Sequence, residues 1–80
     1  MVKVGEITHY FSGIGVAVVK IVDEIKIGDK IHIKGTTTDF EQTIDSMQVD
    51  RKPIMVAKKG DEIGLKVVDK VRPGDEVFKE

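Results

Sequence analysis

The sequence predicts an all-β domain, a small closed antiparallel β-barrel of six or seven strands. The aliphatic side chains are twelve valines and ten isoleucines against one leucine and two alanines, which favours strands over helices. No apolar pattern of helical period extends over ten residues or more. A Gly-Asp pair lies two residues ahead of a β-branched residue three times, which is typical of a turn feeding a strand, at Gly28-Asp29, Gly60-Asp61 and Gly74-Asp75.

Length and composition limit the class of protein. Eighty residues predict one domain, 1–80. The net charge of −1 gives no general attraction to nucleic acid or an anionic membrane, so any such contact must come from a local patch. The absence of cysteine excludes disulfides and thiol catalysis, and the apolar runs are too short for a signal peptide or membrane span. We therefore expect a soluble cytoplasmic protein.

The first half of the chain contains four strand candidates. Residues 2–10 change side-chain parity at Gly5, where we expect a β-bulge. Residues 16–22 are apolar on both faces, as in a central strand or a strand of a closed barrel. Residues 25–27 lead into the first Gly-Asp turn, and residues 30–34 alternate apolar and polar side chains, which predicts a half-buried strand.

The second half completes the predicted barrel. Residues 40–51 form the longest strand candidate, with a bulge or bend near Asp45-Ser46 because the apolar parity changes there. Residues 53–59 read as a connection lying over the barrel mouth. Pro73-Gly74 suits the central positions of a type II turn, and Val77-Phe78 forms a closing strand. One inward face is predicted after the second Gly-Asp turn, at Ile63, Leu65 and Val67.

No residue pattern predicts catalysis, so we expect neither enzyme activity nor a cofactor or metal. His9 and His32 have no companion at metal-ligand spacing and are interpreted as ordinary surface or rim histidines. The adjacent acids Asp23-Glu24 and Asp61-Glu62 lie in turns, and neighbouring strand residues point to opposite faces, so neither pair predicts a cooperating acid and base. The serines lack a nucleophile motif, and no P-loop is present.

Two local features could bind a partner. His9-Tyr10-Phe11 places three rings at the end of a strand, where they could stack on bases, although packing in the core or at the rim is favoured. Four cations flank the connection at 53–59 and could neutralise a few phosphates, or could simply be a solvated loop with lysines protecting a sheet edge. These cations are Arg51, Lys52, Lys58 and Lys59.

The ordered set of motifs resembles the second domain of translational GTPases such as elongation factor Tu. The resemblance rests on residues 13–18, on 25–33 with the first Gly-Asp turn, on the strand end at 44–49, and on the two later turns with their strands, at 57–65 and 71–77. Residues 8–11 and 37–42 are closer still to free-standing elongation-factor-like small proteins and to the barrel appended to collagenase-like peptidases of the kind involved in RNA maturation. The resemblance implies a closed barrel of the type shared by reductases and elongation factors.

The same resemblance implies a non-enzymatic binding module that contacts RNA, as tRNA or ribosomal RNA, or a translation or RNA-modification protein. The alternative is an accessory module that docks a larger enzyme without touching RNA. In the elongation factor this domain helps to hold the aminoacyl end of tRNA, and an acidic residue and a leucine of that pocket correspond here to Gln48 and Lys66. Since the GTPase domain is missing, no GTP binding is expected.

Overall fold

The computed structural model describes residues 1–80, which form ten β-strands. Eight of them make one antiparallel sheet in the order β5-β4-β10-β1-β2-β9-β6-β7, and β3 pairs with β8 in a small second sheet. The strands are β1 (Val2–Phe11), β2 (Val16–Ile21), β3 (Ile25–Lys26), β4 (Lys30–Lys34), β5 (Asp39–Thr43), β6 (Met47–Val49), β7 (Lys52–Ile54), β8 (Val56–Ala57), β9 (Glu62–Lys66) and β10 (Glu76–Lys79). The all-β prediction is confirmed.

The large sheet is a strongly curled, open half-barrel, so the prediction of a closed barrel is wrong. Its edge strands, β5 and β7, do not pair with each other. The chain leaves β5 at Ile44, which belongs to no strand because its backbone bonds to the first Gly-Asp turn. Its N–H donates to the Asp29 carbonyl at 2.9 Å, and its carbonyl accepts from the Gly28 N–H at 2.9 Å. β5 and β6 therefore pair with different neighbours, β4 and β9.

One side chain connects the β5 edge to the far side of the sheet. Gln42 is buried, and its Nε2 donates to the Lys66 carbonyl at 2.9 Å. Its Oε1 accepts from the Val68 N–H, also at 2.9 Å. The Gln42 amide thus supplies the hydrogen bonds that a neighbouring strand would give to these two backbone groups in a closed barrel.

The three Gly-Asp pairs form the same turn. In each, the aspartate N–H donates to the carbonyl three residues earlier at 3.0–3.1 Å, and the glycine has a φ of 95–96°. These are the features of a type II turn, which needs glycine at its third position. The aspartate carboxylate also accepts the N–H of the first turn residue at 2.8–2.9 Å. The turns span residues 26–29, 58–61 and 72–75, and the prediction for Pro73-Gly74 is confirmed.

Several strand predictions are confirmed with small changes. The register of β1 against β10 shifts between Lys3 and Gly5, so the bulge at Gly5 is present. A second shift, between Ile7 and His9 against β2, was not predicted. The inward face of β9 continues beyond the strand as expected, because Ile63, Leu65 and Val67 are all buried.

Two predictions for the middle of the chain are wrong in part. Residues 40–51 are two strands separated by the predicted bend, and Arg51 lies in the turn after β6. Residues 53–59 are not a loop, because they contain most of β7 and all of β8. Pro53 is tolerated in β7 because this strand is a sheet edge, where a missing N–H leaves no partner unbonded.

One cluster of sixteen buried apolar residues fills the concave side of the sheet. Its centre comes from alternate residues of β2, β4 and β9, as the two-residue period of a strand requires. The other face of these strands is directed outward, which positions the groove described below. The chain forms no helix long and apolar enough to cross a lipid bilayer.

Gly60→Ala tests the left-handed turn position. An added Cβ at Gly60 meets no atom within 4 Å, so the cost arises from the backbone φ of 96° alone. We expect the free energy of unfolding to fall by about 1 to 2 kcal/mol, measured by urea denaturation. Gly13→Ala is the matched control, because it also meets open space but has no left-handed φ. An equal loss in both variants would contradict the role given to the turn.

Gln42→Met tests the side-chain bridge at the sheet edge. The near-isosteric methionine leaves the Lys66 carbonyl and the Val68 N–H without their partner, so we expect a loss of about 2 kcal/mol in unfolding free energy. Gln48→Met is the control, because the Gln48 side chain makes no hydrogen bond within the protein; its loss should stay within about 0.5 kcal/mol. Equal stability of both variants would show that the bridge does not stabilise the fold.

Candidate ligand groove

The outer face of the sheet has a groove that crosses Gly64. Gly64 in β9 pairs with Val18 of β2 on one side and with Gln48 of β6 on the other. An added Cβ at Gly64 would lie 3.1 Å from Gln48 Cγ and 3.3 Å from Val16 Cγ1. Side chains from both neighbouring strands therefore flank a position that has none, and the missing side chain opens the groove floor.

The walls of the groove are apolar although they face away from the core. The central part has a volume of about 360 Å³, and a smaller part of about 200 Å³ continues past Gly64 to Ser46 and Lys66. Phe11 and Ile14, from the β1–β2 hairpin, are 47% and 65% exposed at one wall. Exposed apolar side chains gathered around a depression mark a binding surface more often than isolated ones do. The remaining wall residues are Val16, Val18 and Val49.

Polar groups occupy the floor and both ends. The amide of Gln48 makes no hydrogen bond within the protein and is half-buried beside Gly64, so both its donor and its acceptor are available to a ligand. Arg51 lies at one end and Lys66 at the other, and neither forms an ion pair with a carboxylate. Asp50 and Glu62 also lie at the Arg51 end, so the two ends differ in net charge.

The turn that carries Arg51 has an unusual backbone. Asp50 and Arg51 join β6 to β7, and both are left-handed, with φ of 50° and 64°. Two-residue hairpin turns of this kind prefer Asp-Gly or Asn-Gly, because the second position favours a residue without Cβ. The chain has an arginine there, at a steric cost that glycine would avoid.

The structure brings together three of the six predicted binding residues. Gln48, Arg51 and Lys66 lie on the groove. Lys52 follows in β7 and is exposed, but it does not line the groove. Lys58 and Lys59 lie in the second Gly-Asp turn, away from the groove lining. The predicted cluster of four cations is therefore distributed over two turns and an edge strand, and its binding role stays a prediction.

Sequence reasoning missed the groove walls. Residues 16–22 predict a central strand or a strand of a closed barrel, and β2 is central in the sheet, but the pattern did not show that Val16 and Val18 face outward onto a groove. Gly64, between the buried Ile63 and Leu65, was the signal that could have located the floor, because a strand glycine often marks a close approach.

The aromatic residues divide between the core and the surface. Tyr10 packs against the core, as expected for at least one ring, whereas Phe11 lines the groove. His9 lies edge-on to Phe11, with ring centroids 4.4 Å apart and planes at 64°. His32 is on the outer face of β4, where it pairs with Asp39 and lowers the pKa of that carboxyl through the hydrogen bond.

Other ionisable pairs lie outside the groove lining, on β1, β5 and β10 and at Glu80. Glu80 and Glu41 share a carboxyl–carboxyl hydrogen bond, which raises the pKa of Glu80 and lowers the pKa of Glu41. Lys3 and Glu76 form an ion pair at 2.9 Å, and this hydrogen bond raises the pKa of Lys3. No three His, Asp or Glu side chains are arranged to hold a metal ion. Exposed pairs of this kind contribute little to stability.

Comparison with known proteins finds relatives among proteases. The chain is 36% identical over 78 residues to an uncharacterized protease of Methanocaldococcus jannaschii, a match to 96% of this chain and 19% of the relative. It is 36% identical over 80 residues to a collagenase of Porphyromonas gingivalis, covering 98% of this chain and 19% of that protein. The chain thus spans about a fifth of the length of the curated relatives it matches. No family model matches the sequence.

A solved structure shares the fold. The crystal structure of the C-terminal domain of a Geobacillus thermoleovorans protein described as a U32 peptidase superposes with a TM-score of 0.90 at 21% identity. The match covers 96% of this chain and 90% of that domain. At this level of identity the likeness establishes the fold alone.

Gly64→Ala tests whether the groove depends on the missing side chain. Because the new Cβ meets Gln48 and Val16 at 3.1 and 3.3 Å, small shifts of these side chains should accommodate it, and the unfolding free energy should stay within about 1 kcal/mol. NMR shifts of the Gln48 amide and Val16 methyls should change. In the control Gly5→Ala the Cβ would lie 2.6 Å from buried Val19, and a loss of about 1 to 3 kcal/mol is expected. A loss at Gly64 as large as at Gly5 would contradict the open floor.

Proposed function

We propose that this chain, a homologue of the C-terminal domain of U32 peptidases and collagenases, is an accessory module that binds single-stranded RNA in the groove over Gly64. The role proposed is recognition without catalysis. The RNA would be a transfer or ribosomal RNA segment, and the module would present it to, or hold it for, a larger protein.

The chemistry of the groove is the observation that carries this proposal. A nucleotide combines flat apolar faces, a hydrogen-bonding edge and a negative charge beside them. The groove has valine and phenylalanine walls, a free amide at Gln48, and cations at Arg51 and Lys66. Glutamine amides hydrogen-bond to base edges, and aromatic side chains next to cations are a common arrangement for holding unpaired bases.

The RNA part of the proposal originates in the resemblance to the second domain of elongation factor Tu. That resemblance assigned Gln48 and Lys66 to the pocket for the aminoacyl end of tRNA, and both residues line this groove. Glutamine keeps the hydrogen-bonding capacity of the acidic residue in the elongation factor without its charge. Lysine replaces an apolar contact by a cation that can reach a phosphate.

The charge of the protein predicts weak and salt-sensitive binding. With a net charge of −1 and two cations on the groove, only a few phosphates can be neutralised. Most of the selectivity must therefore come from stacking and hydrogen bonding in the groove.

The second candidate is a module that docks a larger protein without RNA contact. The observation that favours it is the coverage of the relatives, in which the homologous region is a fifth of a protease. An exposed apolar groove also suits a protein partner. Capture of one defined protein that survives nuclease treatment, together with no RNA affinity at low salt, would favour this candidate.

Charge reversal tests the RNA proposal. We expect the chain to bind transfer RNA at about 50 mM salt and to lose about tenfold in affinity with Lys66→Glu, because a cation at the groove becomes repulsive. Fluorescence anisotropy with labelled RNA gives the dissociation constants.

The matched controls separate the groove from the cation cluster predicted from sequence. Lys59→Glu carries the same charge change in the second Gly-Asp turn, and Lys34→Glu carries it on β4. Both should reduce affinity less than Lys66→Glu does. A loss at Lys59 equal to that at Lys66 would place binding on the turns and edge strand, and absence of RNA binding at low salt would end the proposal.

A further inference from the structure

Arg51 and Lys66, the two groove cations without an ion-pair partner, lie at opposite ends of the groove. Lys66 follows Gly64 by two residues in β9. Gln48 of β6 pairs with Gly64, and Arg51 follows Gln48 by three residues, which places it toward the opposite end because the strands are antiparallel. At the rise of a β-strand, their backbones are roughly 15 Å apart. Neither side chain has a carboxylate partner within the protein. A ligand that neutralises both must therefore have an anion on each side of the part seated over Gly64.

We infer that the groove binds an internal segment of single-stranded RNA, which enters at one end and leaves at the other. This inference rests on the proposed RNA-binding function. A nucleotide within a strand has a phosphate on both its 5′ and 3′ sides, whereas a 3′-terminal nucleotide has one only on its 5′ side. A terminal nucleotide seated over Gly64 would pair with one of the two cations and leave the other unpaired.

The backbone at Arg51 supports a ligand role for this side chain. Its φ of 64° lies where glycine is preferred, and the side chain makes no hydrogen bond or ion pair that would stabilise the fold. No contact within the protein accounts for an arginine at this strained position, and its guanidinium is free to bind a ligand. Arg51→Gly should therefore remove the cation and leave the thermal midpoint equal or raised by a few degrees.

Acidic residues at the Arg51 end of the groove should make the contributions of Arg51 and Lys66 to RNA affinity unequal. Asp50 and Glu62 line that end, and Glu62 is opposite Lys20 in the neighbouring strand. Because like charges repel a phosphate there, Lys66 should contribute more to affinity than Arg51. Glu62→Gln should increase affinity about two- to threefold, since it removes a repulsive charge without changing shape.

The decisive experiment compares a short single-stranded oligoribonucleotide with a circular RNA of the same sequence. Because a circle has only internal nucleotides, we expect the two dissociation constants to agree within about twofold. The salt dependence is then measured for the 80-residue chain and for Lys66→Ala and Arg51→Gly, with Lys34→Ala as control. The logarithm of the affinity falls with the logarithm of the salt concentration. Each groove variant should make this fall less steep by about 0.7, and the control should change the steepness less.

The outcomes separate the two proposals. If the linear RNA binds and the circle does not, or if either groove variant keeps the full salt dependence, the internal-segment inference is wrong while RNA binding stands. If neither RNA binds at about 50 mM salt, the proposed function itself fails and the inference with it. The thermal midpoint of each variant is measured as well, so that a weaker salt dependence of binding is not mistaken for unfolding of the variant.

Discussion

The fold depends on one hydrogen-bonded turn used three times. In each copy an aspartate donates its N–H to the first turn residue and accepts that residue's N–H on its carboxylate, so the turn is closed from both directions. The glycine before it has a left-handed φ, and its own N–H donates to a backbone carbonyl elsewhere in the chain, that of Ile44, Ile21 or Ile7. A local turn therefore also fixes a long-range contact, which is why three short motifs can organise eighty residues.

These contacts decide how the sheet curls and where it stops. Ile44 bonds to the first turn and belongs to no strand, so the chain turns away after β5, and the sheet stays open between its edge strands β5 and β7. Gln42 then satisfies the groups that remain near the open edge. The outer face of β2, β9 and β6 remains accessible, and Gly64 provides the depression in which apolar walls, an amide and two cations meet. The proposed binding function uses the surface that the turns leave uncovered.

Sequence reasoning succeeded where the information is local. The turns, the bulge at Gly5 and the bend between β5 and β6 follow from glycine, aspartate and the parity of neighbouring side chains, and the structure has them all. It failed where one pattern allows two arrangements. Valines on both faces of β2 suit a doubly buried strand as well as a strand with a core on one face and a groove on the other. Arg51, Lys52, Lys58 and Lys59 are close in sequence, but strand pairing directs only Arg51 to the groove.

The sequence by itself determined the all-β class, the positions of the three turns and the inward residues of β4 and β9, because strand propensity, left-handed φ and the two-residue period act between near neighbours. Only the tertiary structure decided that the sheet stays open and that Arg51, Phe11 and Ile14 line the same groove as Gln48 and Lys66. Those relations depend on strand order and register, which are set by hydrogen bonds between residues as distant as Gln48 and Gly64. A glycine within a strand, such as Gly64, can indicate a close approach, but the local sequence does not show which strands pair beside it.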